Sequence, residues 1–188
     1  MSSLLRFERV ACERGGRMLF ERLDLHLGAG EALWVRGPNG AGKSSLLRLA
    51  AGLLRPAAGE VEAAPAALAD DALALDREQP LASALGWWAA LDGGSVSDAQ
   101  EAYDLSHLAE VPVRMLSTGQ ARRARLARVL ASGAPLWLLD EPVNGLDHDS
   151  VARLGRVLQT HRAAGGAIVA ASHVSLPGGD WRTLELGV

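Results

Sequence analysis

The chain has 188 residues, of which 48% are hydrophobic, enough for one domain with a substantial core. Its net charge of −3 gives no general attraction to nucleic acid or to anionic lipid. The single cysteine, Cys12, excludes a disulfide framework within the chain, and we expect it to be a small buried apolar side chain. No apolar run reaches the 18 residues typical of a membrane-spanning helix, so a role at a membrane would need a partner.

The first part of the chain predicts antiparallel strands that lead into a parallel sheet. Apolar residues over 5–12 predict a first strand, and the glycines within 14–17 predict a turn. Leucines alternate with polar residues over 23–27, which predicts a half-buried antiparallel strand. The nearly continuous apolar run over 32–35 is typical of a buried parallel strand.

From there, predicted helices alternate with predicted strands, which favours an α/β fold with a parallel sheet. We predict helices over 43–51, 81–91, 97–108, 117–131 and 147–164, and strands over 136–139, 167–171 and 183–186. Ser97 and Gln100 fit a capping box at the start of the third helix. The alanine-rich segment 63–76 has no periodicity that would assign it to either class.

The segment after the third predicted strand fits the phosphate-binding P-loop, G-x-x-x-x-G-K-[ST]. It consists of Gly37, Pro38, Asn39, Gly40, Ala41, Gly42, Lys43 and Ser44, and Ser45 follows it. Its glycines allow backbone N–H groups to face phosphate oxygens at the N-terminus of the following helix. The other interpretation, an accidental glycine-rich turn, is disfavoured because a strand precedes the segment and a helix follows it. The sequence therefore predicts a binding site for a nucleoside triphosphate.

Lys43 is the only lysine of the chain, whereas 18 arginines supply the other fixed positive side chains. A lysine ammonium is a compact charge on a slim stem, able to reach between β- and γ-phosphate oxygens. A planar guanidinium is wider and favours two-point contacts. We therefore expect Lys43 to bind the phosphates, while the hydroxyl of Ser44 binds Mg²⁺.

A second motif places two acids at the end of a buried strand, in the segment Leu136 to Glu141. Ligands of open α/β sheets bind at the carboxyl ends of the strands. Asp140 is placed to hold Mg²⁺, as a Walker-B aspartate does, and Glu141 to polarise an attacking water. General base catalysis of this kind contributes about 10²–10⁴-fold to a rate. The other interpretation, an acidic strand end that caps a turn, is disfavoured by the P-loop upstream.

A third motif distinguishes among P-loop families, and its residues are Leu116, Ser117, Thr118, Gly119 and Gln120. Ser117 and Gln120 fit a capping box, and a helix N-terminus with a serine hydroxyl and a glycine amide suits a γ-phosphate. The pentapeptide resembles the signature of ABC ATPases, with Thr118 in place of a glycine. The resemblance implies an α/β P-loop NTPase fold of the ABC nucleotide-binding type. Such a domain, 1–188 here, has an antiparallel β N-terminal part and a small helical subdomain, expected near 80–116.

The resemblance to ABC ATPases also implies roles for isolated residues. Gln79 resembles the Q-loop glutamine that senses Mg²⁺ and the γ-phosphate, and His173 the switch histidine that acts with Glu141 in catalysis. Asp147 resembles the D-loop aspartate. The family implies a homodimer in the ATP-bound state, in which Ser117 of one chain covers the γ-phosphate bound by the other.

Within that family the chain is similar to the ATP-binding subunits of the cytochrome c maturation system. The resemblance rests on the compact length and on four segments, Cys12 to Arg14, Gln79 with Pro80, Gly119 to Arg123, and Leu136 to Pro142. It implies a peripheral subunit on the cytoplasmic face of the bacterial inner membrane that pairs with a CcmB-like membrane permease. Its ATP hydrolysis would be linked to haem handling and to release of the haem chaperone.

The segment that usually holds an adenine-stacking aromatic in this family departs from the pattern. Residues 13–15 occupy that zone, and they include no aromatic residue. Adenine would then lie against Arg14 or Phe20, or be loosely held, which predicts weak discrimination between bases. Four histidines lack the spacing of metal ligands and are expected to be solvated: His26, His107, His148 and His161.

Two other features admit more than one interpretation. Four arginines crowd the predicted helix after the signature, namely Arg122, Arg123, Arg125 and Arg128. They suggest nucleic acid, but the acidic balance of the chain favours a solvated or ion-paired helix face and no nucleic-acid partner. Trp87 and Trp88 fit internal packing or a surface that docks a membrane partner.

Other functional classes fit the sequence less well. A soluble ABC ATPase that acts on ribosomes or DNA would need tandem domains or a long coiled-coil insertion. A nucleotide kinase would leave the signature and the pair Asp140 and Glu141 unexplained. An ABC transporter for another substrate stays open as the alternative function.

Overall fold

A computed structural model describes residues 3–187, apart from the side chain of Asp92. The strands are β1 Ser3–Arg14, β2 Arg17–Gly28, β3 Ala32–Arg36, β4 Ala58–Ala63, β5 Ala66–Ala69, β6 Leu136–Asp140, β7 Ala167–Ala171 and β8 Arg182–Glu185. The helices are α1 Lys43–Ala50, α2 Leu81–Asp92, α3 Val96–Ala102, α4 Thr118–Ser132 and α5 His148–Ala163, with single 3₁₀ turns at Ser106–Leu108 and Val113–Met115. No helix among residues 3–187 is long and apolar enough to cross a membrane.

The strands form two sheets, as the alternation of elements predicts. The first is antiparallel, with the order β2-β1-β4, and the hairpin between β1 and β2 turns at Gly15 and Gly16. The second has the order β5-β6-β7-β3-β8, and all its neighbouring strands are parallel. The predicted α/β fold with an antiparallel start is therefore confirmed, and β8 is the edge strand expected near the end of the chain.

The parallel sheet separates two apolar clusters because successive side chains of a strand point to opposite faces. Leu136 and Leu138 of β6 contribute to a cluster with β1, β2 and α1, which also contains the buried Cys12. Trp137 and Leu139 contribute to the other cluster, which contains residues of α2, α3, α4 and α5. Both faces are covered, and this explains why the central strands have no polar alternation.

The first two helices after β5, α2 and α3, pack onto α4, which precedes β6. Leu85 of α2, Ala99 of α3 and Ala127 of α4 are buried in the same cluster as Trp137. Pro80 and Pro112 form an isolated antiparallel bridge that closes this helical segment at its base. The boundary of a helical subdomain at 80–116 stays a prediction.

The helix predicted over 97–108 is shorter in the structure. Its N-cap is Ser95, whose Oγ accepts from the backbone N–H of Asp98 at 3.2 Å, and not Ser97. The helix ends at Ala102 because Asp104 has a left-handed backbone with φ of 54°, which an α-helix does not accommodate. The residues that follow form the separate turn at Ser106–Leu108.

His161 is not solvated, in contrast to the prediction from the sequence. Its ring stacks on Trp137 with centroids 3.8 Å apart. Burial lowers the pKa of His161 below its ordinary value, although hydrogen bonds with the backbone of Ala167 and Pro135 oppose that shift. The imidazole therefore belongs to the helical face of the sheet, at the end opposite the P-loop.

Candidate nucleotide-binding site

The P-loop connects the carboxyl end of β3 to α1, as the motif requires. Gly37 has φ of 145°, and a Cβ there would collide with the carbonyl oxygen of Leu186. Gly42 caps α1 in a left-handed conformation without a side-chain hydrogen bond. The first N–H groups of the helix therefore have no side-chain cap and remain available for an anion.

Lys43 extends back over the loop that precedes it. Its Nζ donates to the carbonyl oxygens of Gly37 at 2.9 Å and of Pro38 at 3.1 Å, and it lies 3.2 Å from Nε2 of His173. The residue is only 8% exposed. The ammonium is thus held at the centre of the site, and phosphate oxygens are the ligands that would replace these carbonyl contacts.

Asp140 and Glu141 lie at the carboxyl end of β6, next to β7 and one strand away from β3. Asp140 ends the strand opposite Ala171. Glu141 has φ of 47°, which turns its carboxylate towards His173. One of its oxygens accepts from the backbone N–H of His173 at 3.4 Å, and the other lies 3.5 Å from Nε2 of the same residue.

These residues surround one cavity of about 560 Å³. Its lining residues are Arg14, Leu19, Asn39, Gly40, Gly42, Lys43, Ser44, Ser45, Asp71, Asp140, Glu141, Asn144 and His173. The structure therefore brings together most of the P-loop, the two acids after β6 and the histidine after β7, which are separate in the sequence. A volume of this order is typical of a site for a small molecule.

Gln79 does not line this cavity, and the Q-loop role that the family resemblance implies for it stays a prediction. The side chain is exposed and lines a separate cavity with Trp87 and Trp88. Its backbone carbonyl accepts from the N–H of Val113 at 3.0 Å, which fixes this part of the chain at the base of the helical segment. Gln79 lies 10 residues beyond the end of β5 at Ala69, whereas the cavity lies at the strand end itself.

Asp71 lines the cavity instead, two residues after β5. Because β5 pairs with β6 in parallel, the carboxyl ends of the two strands meet at the same edge of the sheet. Asp71 therefore joins Asp140 and Glu141 in one acidic wall. No motif marked Asp71 in the sequence, since β5 is a short alanine-rich strand that periodicity does not identify.

The signature lies at the start of α4 and does not line the P-loop cavity of its own chain. The capping box is present as predicted, since Ser117 Oγ accepts from the N–H of Gln120 at 3.3 Å and Gln120 Oε1 accepts from the N–H of Ser117 at 2.8 Å. Leu116 is half-buried, while Ser117, Thr118 and Gly119 are exposed. Thr118 lines a second cavity, which shares Asp71, Glu141 and Asn144 with the P-loop cavity.

Asp147 caps α5, and its Oδ1 accepts from the N–H of Ser150 at 2.8 Å. These hydrogen bonds from Ser150 hold the pKa of Asp147 below its ordinary value. The loop before it is tied to the signature helix, because Nη1 of Arg122 donates to the carbonyl of Gly145 at 2.8 Å. Gly145 has a left-handed backbone with φ of 67°, which explains the glycine at this position.

Two of the four arginines on α4 are buried, which the prediction of a solvated or ion-paired helix face did not anticipate. Arg125 is 8% and Arg128 3% exposed. Nη1 of Arg125 donates to the carbonyl of Asp70 at 2.7 Å, and Arg128 donates to the carbonyl of Leu68 and stacks on Trp88 at 4.4 Å. Arg123 does form an ion pair, with Asp104 at 3.4 Å. The arginines of α4 thus bind carbonyl and carboxylate groups of the same chain.

The wall beyond the P-loop has Arg14 and Leu19 where the family resemblance implies an aromatic residue. Phe20 is half-buried and packs under Gly42, about 3.2 Å from the position of a Cβ there, and it does not line the cavity. Tyr103 is fully buried in the helical cluster, and burial raises its pKa. A base bound here would therefore contact an arginine and a leucine.

The donor set fits Mg²⁺ bound together with a nucleotide. Ser44 and Asp140 line the same cavity and supply a hydroxyl and a carboxylate oxygen, and Mg²⁺ is usually held by one or two such ligands, phosphates and water. Among residues 3–187 there is no cluster of three or more His, Cys, Asp or Glu side chains arranged to hold a metal alone. The site thus suits a metal that arrives with phosphate.

The sequence model of the ABC transporter family matches residues 20–144. A relative from Sphingopyxis alaskensis, the cytochrome c biogenesis ATP-binding export protein CcmA, is 57% identical over 100% of this chain and 99% of its own length. The protein of the same name from Zymomonas mobilis is 53% identical over 94% of this chain and 81% of its own length.

Solved structures have the same fold at low identity. An ATP-binding subunit of an ABC transporter superposes with a TM-score of 0.84 at 21% identity, covering 91% of this chain and 80% of its own. A dimeric ATP-binding cassette in a post-hydrolysis state, bound to ADP and phosphate, has a TM-score of 0.79 at 19% identity and covers 90% of this chain and 88% of its own. With the P-loop, the paired acids and the signature at these positions, the chain belongs to the ABC transporter family and, within it, to the CcmA family of cytochrome c biogenesis ATP-binding export proteins.

Proposed function

We propose that this chain is the ATP-hydrolysing subunit of an ABC transporter complex for c-type cytochrome biogenesis. The observation that carries the proposal is the convergence of Lys43, Asp140, Glu141 and His173 on one cavity, in a chain 57% identical to a CcmA protein. The coupled process would be haem handling or release of a haem chaperone. An ABC transporter for another substrate is the alternative, because the cavity accounts for ATP and not for the transported molecule.

Binding of ATP would use the P-loop. The backbone N–H groups at the start of α1 and the ammonium of Lys43 neutralise the β- and γ-phosphates. Ser44 and Asp140 would hold Mg²⁺, which supplies charge neutralisation across the phosphates. To bind, the phosphates replace the carbonyl contacts that Lys43 makes with Gly37 and Pro38.

Hydrolysis would use Glu141 as the group that orients and deprotonates the attacking water. His173 holds the carboxylate through its backbone N–H, and its imidazole lies between that carboxylate and Lys43. The imidazole is therefore placed to contact the γ-phosphate and the glutamate at the same time. Because the phosphoryl group itself needs little covalent chemistry, positioning and charge account for most of the rate.

A second copy of the chain would complete the site. The N-terminus of α4 offers a serine hydroxyl and a glycine amide that are exposed and do not line the chain's own P-loop cavity. In a head-to-tail homodimer, Ser117 and Gly119 of one copy would cover the γ-phosphate held by the other. ATP bound between the copies then joins them, and hydrolysis allows them to separate.

A membrane permease related to CcmB is the proposed partner, and it would hold this subunit at the cytoplasmic face of the bacterial inner membrane. Trp87 is 63% exposed, with Leu91 on the same helix also exposed. Trp87 and Trp88 line a cavity of about 440 Å³ with Ser83 of α2 and Ala74. An exposed apolar patch next to a cavity is typical of a docking surface, here for a helix of the permease.

Complementation tests the proposal. The chain is expressed in a bacterium that lacks its own CcmA but retains the rest of the maturation system, and covalent haem in c-type cytochromes is measured by haem staining. We expect the wild-type chain to restore cytochromes and Glu141→Gln, produced at the same level, to fail.

The alternative function, transport of another substrate, is tested by a second experiment. The chain is purified from its native membranes, and the permease that copurifies with it is identified. Wild-type ATPase activity without any restoration of cytochromes, combined with copurification of an unrelated permease, would refute the proposed role. Restoration by the Glu141→Gln variant would instead refute the requirement for hydrolysis.

A further inference from the structure

Arg125 is a buried charge that none of the roles described above uses. It lies on α4, two turns after the signature, and is 8% exposed. Its Nη1 donates to the carbonyl of Asp70 at 2.7 Å, and its Nη2 lies 3.4 Å from the carbonyl of Glu141. One guanidinium therefore bridges the chain at the ends of two neighbouring strands, β5 and β6.

The charges that face Arg125 come from the acidic wall of the cavity. Burial lowers the pKa of the guanidinium, while the carboxylates of Asp71, Asp140 and Asp70 oppose that shift, and Arg122 adds to it. Arg125 also lines a second cavity, of about 320 Å³, with Asp71 and Glu141. The guanidinium of Arg125 is thus buried next to the carboxylates that line the two cavities, and it is not on the solvent-exposed face of α4.

Glu141 has a backbone conformation that needs support. Its φ of 47° is unusual for a residue other than glycine, and such a conformation persists only where the surrounding structure holds it. Pro142 follows it, which disfavours the right-handed helical conformation as well. The residue is held by its N–H, which donates to Ala171 at 2.8 Å, and by its carbonyl, which accepts from Asn144 at 3.2 Å as well as from Arg125.

We propose that Arg125 is a positioning residue for Glu141: by binding the carbonyls of Asp70 and Glu141 together, it holds the glutamate in the conformation that turns its carboxylate towards His173. The inference rests on the proposed hydrolytic role of Glu141. Arg125 itself does not contact the nucleotide in this assignment. It acts through the peptide that follows Glu141, whose carbonyl would otherwise depend on Asn144 alone.

Arg128 provides a matched control on the same helix. It is also buried, also carries a guanidinium whose Nε has no hydrogen-bond partner, and also donates to a backbone carbonyl, that of Leu68 in β5, two residues before Asp70. It has no hydrogen bond to Glu141. Arg125→Met and Arg128→Met therefore each remove a buried guanidinium that donates to a carbonyl in or just after β5. Only the first removes the link to Glu141, and only the second removes the stacking on Trp88.

Steady-state hydrolysis by the full chain separates the two variants. We expect Arg125→Met to lower kcat by roughly 10–100-fold, because small displacements of a catalytic group cost about that much. The affinity for ATP, measured with the fluorescent nucleotide analogue TNP-ATP and Mg²⁺ present, should change by less than about 3-fold, since Lys43 and Ser44 are untouched. Arg128→Met should leave kcat within about 3-fold of wild type, even if its melting temperature falls as much as that of Arg125→Met.

A double-variant cycle with Glu141→Gln tests whether Arg125 acts through Glu141. Single-turnover hydrolysis is measured for Glu141→Gln with and without Arg125→Met. If Arg125 acts only through the glutamate, the second substitution should lower the residual rate by less than about 2-fold. A further loss of 10-fold or more would mean that Arg125 acts elsewhere, and it would overturn the inference.

Arg125→Lys keeps the charge but has no planar fork with which to reach both carbonyls. We expect kcat to fall by about 3–10-fold with the melting temperature within a few degrees of wild type. This variant decides the question if Arg125→Met does not fold, and a wild-type kcat for Arg125→Lys would then overturn the inference. Failure of the proposed function is distinguishable, because it would appear in the wild-type chain, as normal hydrolysis without cytochrome maturation.

Discussion

Two helix N-termini in this chain have the chemistry to bind a phosphate, and they differ in what surrounds them. α1 begins beneath the P-loop, where Lys43 is 8% exposed and a cavity of about 560 Å³ opens beside it. α4 begins at exposed residues, and open space surrounds the position that a Cβ on Gly119 would take. Free N–H groups at a helix start attract an anion in both cases. Only α1 can enclose that anion with its own chain, so α4 can cover one only when another molecule presents it.

Glu141→Gln should have the largest effect on the enclosed site. The substitution removes the base but keeps the shape of the side chain, so hydrolysis should fall by about 10²–10⁴-fold. ATP binding should persist, and the variant should form an ATP-dependent dimer, measured by size-exclusion chromatography with light scattering. Normal turnover by this variant would show that Glu141 is not the base, and an ATP-bound monomer would argue against the role of α4 in a dimer.

Lys43→Arg should have the next largest effect, because it keeps the charge and changes its shape. A guanidinium is wider than an ammonium and favours two-point contacts, so we expect it to fit less well between the phosphates. Loss of one charge-assisted contact costs about 1.5–3 kcal/mol, or roughly 10–150-fold in turnover. Hydrolysis at the wild-type rate would mean that charge alone is sufficient at this position.

Gly119→Ala tests the open helix start with a smaller expected effect. The added methyl group meets nothing within 4 Å in the chain, and alanine favours a helix over glycine by up to about 1 kcal/mol. The variant should therefore melt no lower than wild type. If a γ-phosphate on a second copy approaches this backbone, turnover should nevertheless fall by about 10-fold. Unchanged turnover would show that the start of α4 does not contact the nucleotide.

Base discrimination should be the smallest effect. The described residues that line the cavity include Arg14 and Leu19 and no tryptophan, tyrosine or phenylalanine, so we expect weak stacking on the base. ATP and GTP should therefore bind within about 10-fold of each other, a difference of about 1.4 kcal/mol. Isothermal titration of both nucleotides measures it, and a strong preference for ATP would mean that another residue recognises adenine.

The acidic wall of the cavity contains two residues that the sequence predicted, Asp140 and Glu141, and one that it did not, Asp71. Asp140 and Glu141 follow a strongly apolar strand that periodicity identifies, whereas Asp71 follows β5, four residues of alanine and leucine that carry no strand signal of their own. Pairing with β6 imposes the extended conformation on β5. Gln79 stands before Pro80, where the family resemblance places its glutamine, but it lies ten residues beyond β5 and does not line the cavity, so its role stays a prediction.

The sequence by itself determined the P-loop, the acids after β6, the capping box of α4 and the order of most strands and helices. These features depend on neighbours within a few residues, where spacing, turn chemistry and polarity act directly. Only the tertiary structure decided the place of Asp71, the burial of Arg125 and Arg128, and the separation of α4 from the P-loop cavity. The physical reason is that a buried guanidinium needs acceptors, and the strand-end carbonyls that accept from it become neighbours of α4 only when the sheet has formed.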